Sequence, residues 1–347
     1  EDARFFFGRE VFTSLLVDAL ATKPMVGVIG PSGSGKSSVV LAGMLPELRR
    51  STDGPGDWTV LKLRPGAEPF HALAGVLVPL LEGSESRTDR LIAVRKMADA
   101  LADGTLNVGH VVSDVRGERP ELGSLLFIVD QFEELYTLCP DVKVQRAFQD
   151  LLFDVVHTSN GSGPVKLALT LRADFMGHAT AYRPFSDAMQ HHNVILGPMN
   201  REELTRVVAE PARLQGRAFE AGLVERIIDD MGEEAGTLPL LEFALTKLWE
   251  RQQAGWLTHE AYEEIGRVEG AVARHADAVF EAMPEAEQEQ ARKVIVQMVR
   301  PGEGTEDTRR VARKEELGDA GWSLVRKLAD ARLVVTNRDE AGRETAE

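Results

Sequence analysis

The sequence holds a single cysteine, Cys139, among 347 residues. That excludes an intramolecular disulfide and any paired-cysteine metal site. A chain of this size without disulfides is expected in a reducing compartment, here the cytoplasm. In "ELYTLCP" the thiol reads as a packing residue at a helix end rather than a nucleophile. No apolar run reaches the ~20 residues that a membrane-crossing helix needs. The opening "EDARFFFGRE" is charged from its first residue, unlike a secretory leader. The lack of an initial methionine is read as the mark of a piece of something longer. Positive charge is short as well: 40 Lys and Arg face 55 Asp and Glu, a net charge of −15. No direct contact with nucleic acid and none with membrane is expected from such a surface. The remaining composition, 43% hydrophobic and 27% charged, is that of an ordinary folded protein. The length exceeds what one core serves well, so two or three domains are expected.

In the first part of the chain, short apolar runs alternate with helical patterns. Strands are expected at Met25–Ile29, Trp58–Leu63, Leu125–Val129, Val165–Leu171 and Asn193–Leu196. Helical segments at Val11–Ala21, Phe70–Leu81, Asp89–Leu101 and Val142–Val156 separate them. Buried strands between helices predict an α/β fold with a parallel sheet covered on both faces. "STDGPGD" and "SNGSGP" read as loops. After Met199 the pattern is helical, and Asn200 with Glu203 three residues on predicts a capping box. From about residue 269 the pattern changes again. An amphipathic helix at Glu285–Val299, two more helical stretches and a hairpin across "RLVVTNRDEAGRETAE" fit a winged helix, read as a packing module rather than a DNA reader. The expected division is 1–199, 200–268 and 269–347.

"GPSGSGKSS" satisfies G-x-x-x-x-G-K-[ST] between an apolar strand and a helix. Gly30, Pro31, Ser32, Gly33, Ser34 and Gly35 form a loop whose backbone N–H groups can turn inward on phosphate. The following helix start favours negative charge. Lys36 neutralises the terminal phosphate oxygens, Ser37 ligates Mg²⁺, and Ser38 completes the loop. In "LLFIVDQFEEL" an apolar strand ends in Asp130, at the edge where ligands bind in open α/β sheets. Asp130 is expected to hold the Mg²⁺. Glu133 is the favoured general base and Glu134 the alternative, while both acids also suit a helix start. "VKLALTLRADF" ends in Thr170 and Arg172. Arg172 is read as a sensor of the γ-phosphate or, alternatively, as the ion-pair partner of Asp174. No N-K-x-D guanine element is present, so adenine is the expected base. No Arg-rich lid of a small-molecule kinase is apparent.

Together with "FFFGRE", "DQFEELYTLC", "LRADF" and "GTLPLLEFALTKLWE", these stretches resemble STAND-class signalling ATPases, the class of the NB-ARC and NACHT switches. The resemblance is closest to the bacterial novel STAND family, often found in front of WD-type repeats, and it covers nearly the whole chain. It implies an ATP/ADP-binding switch that hydrolyses ATP slowly and self-associates on activation. It also implies an effector before residue 1, a repeat sensor after residue 347, and a setting in bacterial immunity or antiviral defence. By the same resemblance Phe7, Gly8 and Arg9 cover the adenine, and Pro239 packs on it. The family pattern places a histidine element just after the last hairpin; His191 and His192 do not occupy that place. Two other readings fit the phosphate loop: a remodelling ATPase of AAA+ type, and a scaffold whose nucleotide is structural.

Overall fold

The computed structural model describes residues 2–50, 58–81, 86–119, 122–158, 165–232, 237–300, 308–331, 333–334, 336–338 and 343–346. The loops expected at "STDGPGD" and "SNGSGP" and most of the last hairpin's turn lie outside these residues. The chain divides into two compact units, Glu1–Gln215 with Glu233–Leu238, and Gly216–Gly232 with Pro239–Glu347.

The first unit is built on five strands: β1 (Met25–Gly30), β2 (Trp58–Leu63), β3 (Ser124–Val129), β4 (Val165–Arg172) and β5 (Asn193–Ile195). They pair in the order β2-β3-β4-β1-β5, all parallel. The five expected strands are all present, with ends differing by one residue at most. Alternation of side chains along β3 explains why the sheet is covered on both faces. Leu125, Phe127 and Val129 enter one core with the helices Pro69–Leu81, Arg87–Ala102, Val108–Glu118 and Val142–Thr158. Leu126 and Ile128 enter the other core, beside the helix Glu10–Thr22 and the helical run that begins at Lys36. All five of these side chains are at most 2% exposed. Each such burial stabilises the unit by about 1.5–3 kcal/mol. Cys139 packs in the first of these cores, as its setting predicted.

Parallel pairing brings the strand ends to one edge. Leu63 pairs with Val129, Val129 with Leu169, and Gly30 with Arg172. The residues that follow β1, β2 and β3 therefore emerge beside the tip of β4. Strand β4 lies between β1, which leads into the phosphate loop, and β3, which leads into Asp130. The helix Arg201–Leu214 also belongs to this unit. It starts with the expected capping box: Asn200 Oδ1 accepts from the Glu203 N–H, and Glu203 Oε2 accepts from the Asn200 N–H.

The second unit is mainly helical. Leu223–Asp229, His259–Glu264, Arg267–Glu281, Glu285–Gln297 and Lys314–Asp330 are its helices, with most of Leu238–Glu250. The strands Thr336–Arg338 and Glu344–Ala346 pair antiparallel, and Ala312–Arg313 pairs with the latter. They close over a core that includes Val294, Met298, Trp322, Val325 and Leu328.

Candidate functional site

The loop after β1 turns on two glycines. Gly33 and Gly35 have φ of 70° and 85°. At Gly35 a Cβ would meet nothing within 4 Å, so conformation rather than space demands glycine there. An L side chain in this left-handed region costs roughly 1–2 kcal/mol. Helix starts at the next residue and runs from Lys36 to Arg50, widened to a π-type turn over Val39–Met44.

Lys36 points back across the loop. Its Nζ donates to the Gly30 carbonyl at 3.0 Å and to the Pro31 carbonyl at 2.7 Å. The ammonium is buried, and that desolvation lowers its pKa, with the Glu133 carboxylate the strongest influence in the other direction. Ser34 Oγ also donates to the Pro31 carbonyl, at 2.9 Å. Ser32 and Ser38 are exposed.

Ser37 and Asp130 come from sequence positions 93 residues apart and meet at 2.6 Å, the Ser37 hydroxyl donating to Asp130 Oδ1. Thr170 Oγ1 donates to the same oxygen at 2.8 Å and accepts the Gln131 N–H at 2.8 Å. The Phe132 N–H donates to the Thr170 carbonyl at 2.8 Å. The tip of β4 thus holds the backbone as it leaves Asp130, where Gln131 takes a φ of 54° that a non-glycine residue rarely adopts. Thr170→Val keeps the shape but strands the Gln131 N–H and removes one donor from Asp130. We expect a loss of about 1–3 kcal/mol of stability, read as a lower denaturant midpoint. An unchanged midpoint would mean that Thr170 does not hold this turn.

Asp130 is 1% exposed, and the two oxygens of its carboxylate differ. Oδ1 has two donors, while Oδ2 is buried without a hydrogen-bond partner. The guanidinium of Arg64, just past the end of β2, lies 3.7 Å from Oδ2. A buried anionic oxygen beside a serine hydroxyl suits a hard divalent cation. Among the described residues no group of three or more His, Cys, Asp or Glu forms a protein-only metal cage. Mg²⁺ takes one or two protein oxygens together with phosphate and water, a donor set to which Ser37 and Asp130 could contribute.

The two glutamates face different ways. Glu133 Oε2 accepts the Arg172 N–H at 3.2 Å, at the tip of β4. Glu134 interacts with Arg64 and accepts the Gly66 N–H, on the β2 side. Burial raises the pKa of Glu134 to about 7, against the weaker opposing pull of Arg64. Its folded pKa lies above the ordinary value of 4.5, so the folded state takes up a proton that the unfolded state has lost. Stability from this group is full below about pH 4.5 and is lost as pH rises through about 7. Glu134→Gln should therefore remove a pH-dependent loss of stability between those values, measured by thermal unfolding across the range. An identical pH profile in the variant would refute the assignment.

Arg172 does not aim its side chain freely at the loop. Its guanidinium donates to Asp174 at 3.1 and 2.6 Å and lies over the Phe175 ring, the alternative pairing that the sequence allowed. Its charge still acts on Lys36 and lowers the lysine's pKa.

Ahead of the first helix, Gly8 has a φ of 79°, and a Cβ there would lie 2.6 Å from the Glu203 carbonyl oxygen. Only glycine lets this segment pass so close to the helix Arg201–Leu214. Arg9 is 1% exposed. Its Nη2 donates to the Gly197 carbonyl at 2.7 Å, its Nη1 lies 3.7 Å from Glu203, and its Nε and Nη1 lack hydrogen-bond partners. Glu203 thus both caps its helix and faces the buried arginine. Phe7 is half-buried. Pro239 is exposed in the first turn of Leu238–Glu250 and falls in the second unit.

A family model, Novel STAND NTPase 1, matches residues 1–346. The chain belongs to this family. No curated protein matches it. Solved structures show the fold that the novel STAND NTPase shares. The ORC1 protein of Aeropyrum pernix, determined in complex with DNA, is 15% identical, with a TM-score of 0.52 over 98% of this chain and 88% of that one. A Walker-type ATPase of Pyrococcus abyssi is 14% identical, with a TM-score of 0.51 over 98% and 93%. The ORC2 protein of Aeropyrum pernix, in ADPNP–ADP complexes, is 13% identical, with a TM-score of 0.51 over 97% and 87%. At these identities the likeness concerns the fold: a P-loop ATPase α/β architecture. Among the described residues, no helix of this novel STAND NTPase is long and apolar enough to cross a membrane.

Arg64 is the site residue that sequence reading passed over. Its signal was present in "LKLRPG", where an arginine follows a strand in the same way that Asp130 follows "LLFIV". What the sequence does not state is that these two strands are neighbours.

Proposed function

We propose that this novel STAND NTPase module is a switch that binds ATP or ADP with Mg²⁺ and hydrolyses ATP slowly. The observation that carries the reading is the junction of Ser37, Asp130 and Thr170, which ties the phosphate loop to two neighbouring strand ends and leaves one buried carboxylate oxygen without a hydrogen bond. When bound, Mg²⁺ supplies charge neutralisation at the β and γ oxygens. Ser37 and Asp130 are the residues that would hold it. Lys36 binds the phosphates as a desolvated cation. Glu133 is the better general base by geometry, since it sits at the β4 tip and acts on Lys36, whereas Glu134 faces β2. Near-neutral titration alone would favour Glu134; we favour Glu133 on position because a base has to reach the proton it takes. Arg172 reads the γ-phosphate by exchanging Asp174 for it. Phe7, Gly8 and Arg9 form the adenine side of the site.

The parts we propose are residues 1–199, 200–268 and 269–347, the second opening with a helix that clusters with the first compact unit and the last a winged helix in a packing role. Loss of the γ-phosphate changes their arrangement only insofar as nucleotide binds the arrangements unequally. A shift from 1:99 to 99:1 needs about 5.5 kcal/mol of such difference, within reach of several charge-assisted hydrogen bonds and a metal. In the parent protein the outcome is self-association in the cytoplasm that drives a fused effector, set off by a repeat sensor, in defence signalling. Denaturing the freshly purified chain and identifying the released nucleotide tests the proposal. Stoichiometric ADP is expected. A protein that carries none and also fails to bind added ATP or ADP would overturn it.

A further inference from the structure

The phosphate loop answers the charge of Asp130 only in part: Lys36 attracts it at a distance but gives it no hydrogen bond. Its Oδ1 is satisfied by two hydroxyls, but its Oδ2 is buried and takes no hydrogen bond. Lys36 gives hydrogen bonds to two loop carbonyls. The cation recorded at Oδ2 is the Arg64 guanidinium, 3.7 Å away, too long for a hydrogen bond and close enough for strong attraction to a buried charge. The Arg64 side chain is 48% exposed while Asp130 is 1% exposed. The arginine can thus swing into solvent while the aspartate cannot. Glu134 interacts with Arg64 as well and, when ionised, offers it a second partner. Pairing of Leu63 with Val129 in the sheet sets the two strand ends side by side, so Arg64 and Asp130 leave neighbouring strands at the same edge.

We propose that Arg64 is the counter-cation of Asp130 and competes with the metal for its free oxygen, so that it sets the Mg²⁺ concentration at which nucleotide is held. The inference rests on the nucleotide-site reading above. A guanidinium beside Oδ2 stabilises the aspartate without metal and repels a divalent cation arriving there. Arg64 then moves toward Glu134 and solvent.

The experiment uses the full chain in two arms. In the first, MgCl₂ is titrated at fixed ATP, and bound ATP is measured for wild type, Arg64→Ala and Arg64→Lys. The Mg²⁺ needed for half-saturation should fall about threefold to tenfold in Arg64→Ala, the effect of removing a like charge near a partly exposed site, and stay near wild type in Arg64→Lys. An unchanged requirement in Arg64→Ala overturns the proposal. A raised one also overturns it and makes Arg64 a phosphate ligand instead. In the second arm, thermal unfolding without metal or nucleotide is followed for Arg64→Ala, Asp130→Asn and the double variant. Arg64→Ala should lower the midpoint clearly more in the wild-type background than in Asp130→Asn. Additive shifts would break the pairing on which the proposal stands. Absence of ATP binding in every variant would be a failure of the nucleotide-site reading, whereas binding with Arg64-independent Mg²⁺ use is a failure of this inference alone.

Discussion

Replacing Lys36 by alanine is expected to weaken ATP binding by at least about 10²-fold while leaving the fold in place. The size follows from the charge-assisted bonds that a buried ammonium gives to phosphate, about 1.5–3 kcal/mol each, at about 1.4 kcal/mol per tenfold. The intact fold follows from the lysine's setting. Lys36 is 8% exposed, and burial of its charge is costly enough to lower its pKa. Its bonds to the Gly30 and Pro31 carbonyls offset part of that cost. Removing the charge removes the cost and the bonds together, so stability without nucleotide should change little. Calorimetric titration with ATP, set beside thermal unfolding of the same sample, separates the two effects. ATP affinity within tenfold of wild type would sink the assignment of the loop. Unfolding of the variant would instead make Lys36 a structural residue.

Glu133→Gln should leave ATP affinity within about threefold and slow hydrolysis by about 10²–10⁴, the range lost with a general base. Glutamine keeps an oxygen that can accept the Arg172 N–H, so the turn after Asp130 should survive. Glu134→Gln is the matching control. Its side chain sits toward Arg64 and Gly66, and hydrolysis at neutral pH should stay within about threefold, well inside the range assigned to a general base. Single-turnover measurement of released phosphate distinguishes the two. Equal losses, or a larger loss at Glu134, would reverse the assignment.

The sheet was legible because each of its strands carries its own apolar run, and "GPSGSGKSS" and "LLFIVD" single out the strand ends where phosphate and metal are proposed to bind. The capping box at Asn200 and the packing role of Cys139 were readable for the same local reason. What the sequence could not supply is lateral. Strand order decides that Arg64 stands beside Asp130, and that Thr170 reaches both Asp130 and the Gln131 N–H. No local pattern encodes those neighbours. Arg172 shows another limit: the sequence allowed both a phosphate sensor and a partner of Asp174, and a residue two positions away is the partner that the geometry provides. The helix Arg201–Leu214 reads as the start of a new part from its cap, yet it belongs to the first unit, because Gly8 lies against its backbone and Arg9 faces Glu203.

The central claim is that the γ-phosphate changes the state of the whole module. The most direct measurement is sedimentation velocity of Glu133→Gln, which should hold ATP without consuming it, loaded in turn with ATP and with ADP at equal Mg²⁺. A shift in sedimentation coefficient between the two nucleotides, lost in Lys36→Ala, is the predicted result. Superimposable profiles, with both nucleotides shown to be bound, would contradict a switch and leave the nucleotide a structural role.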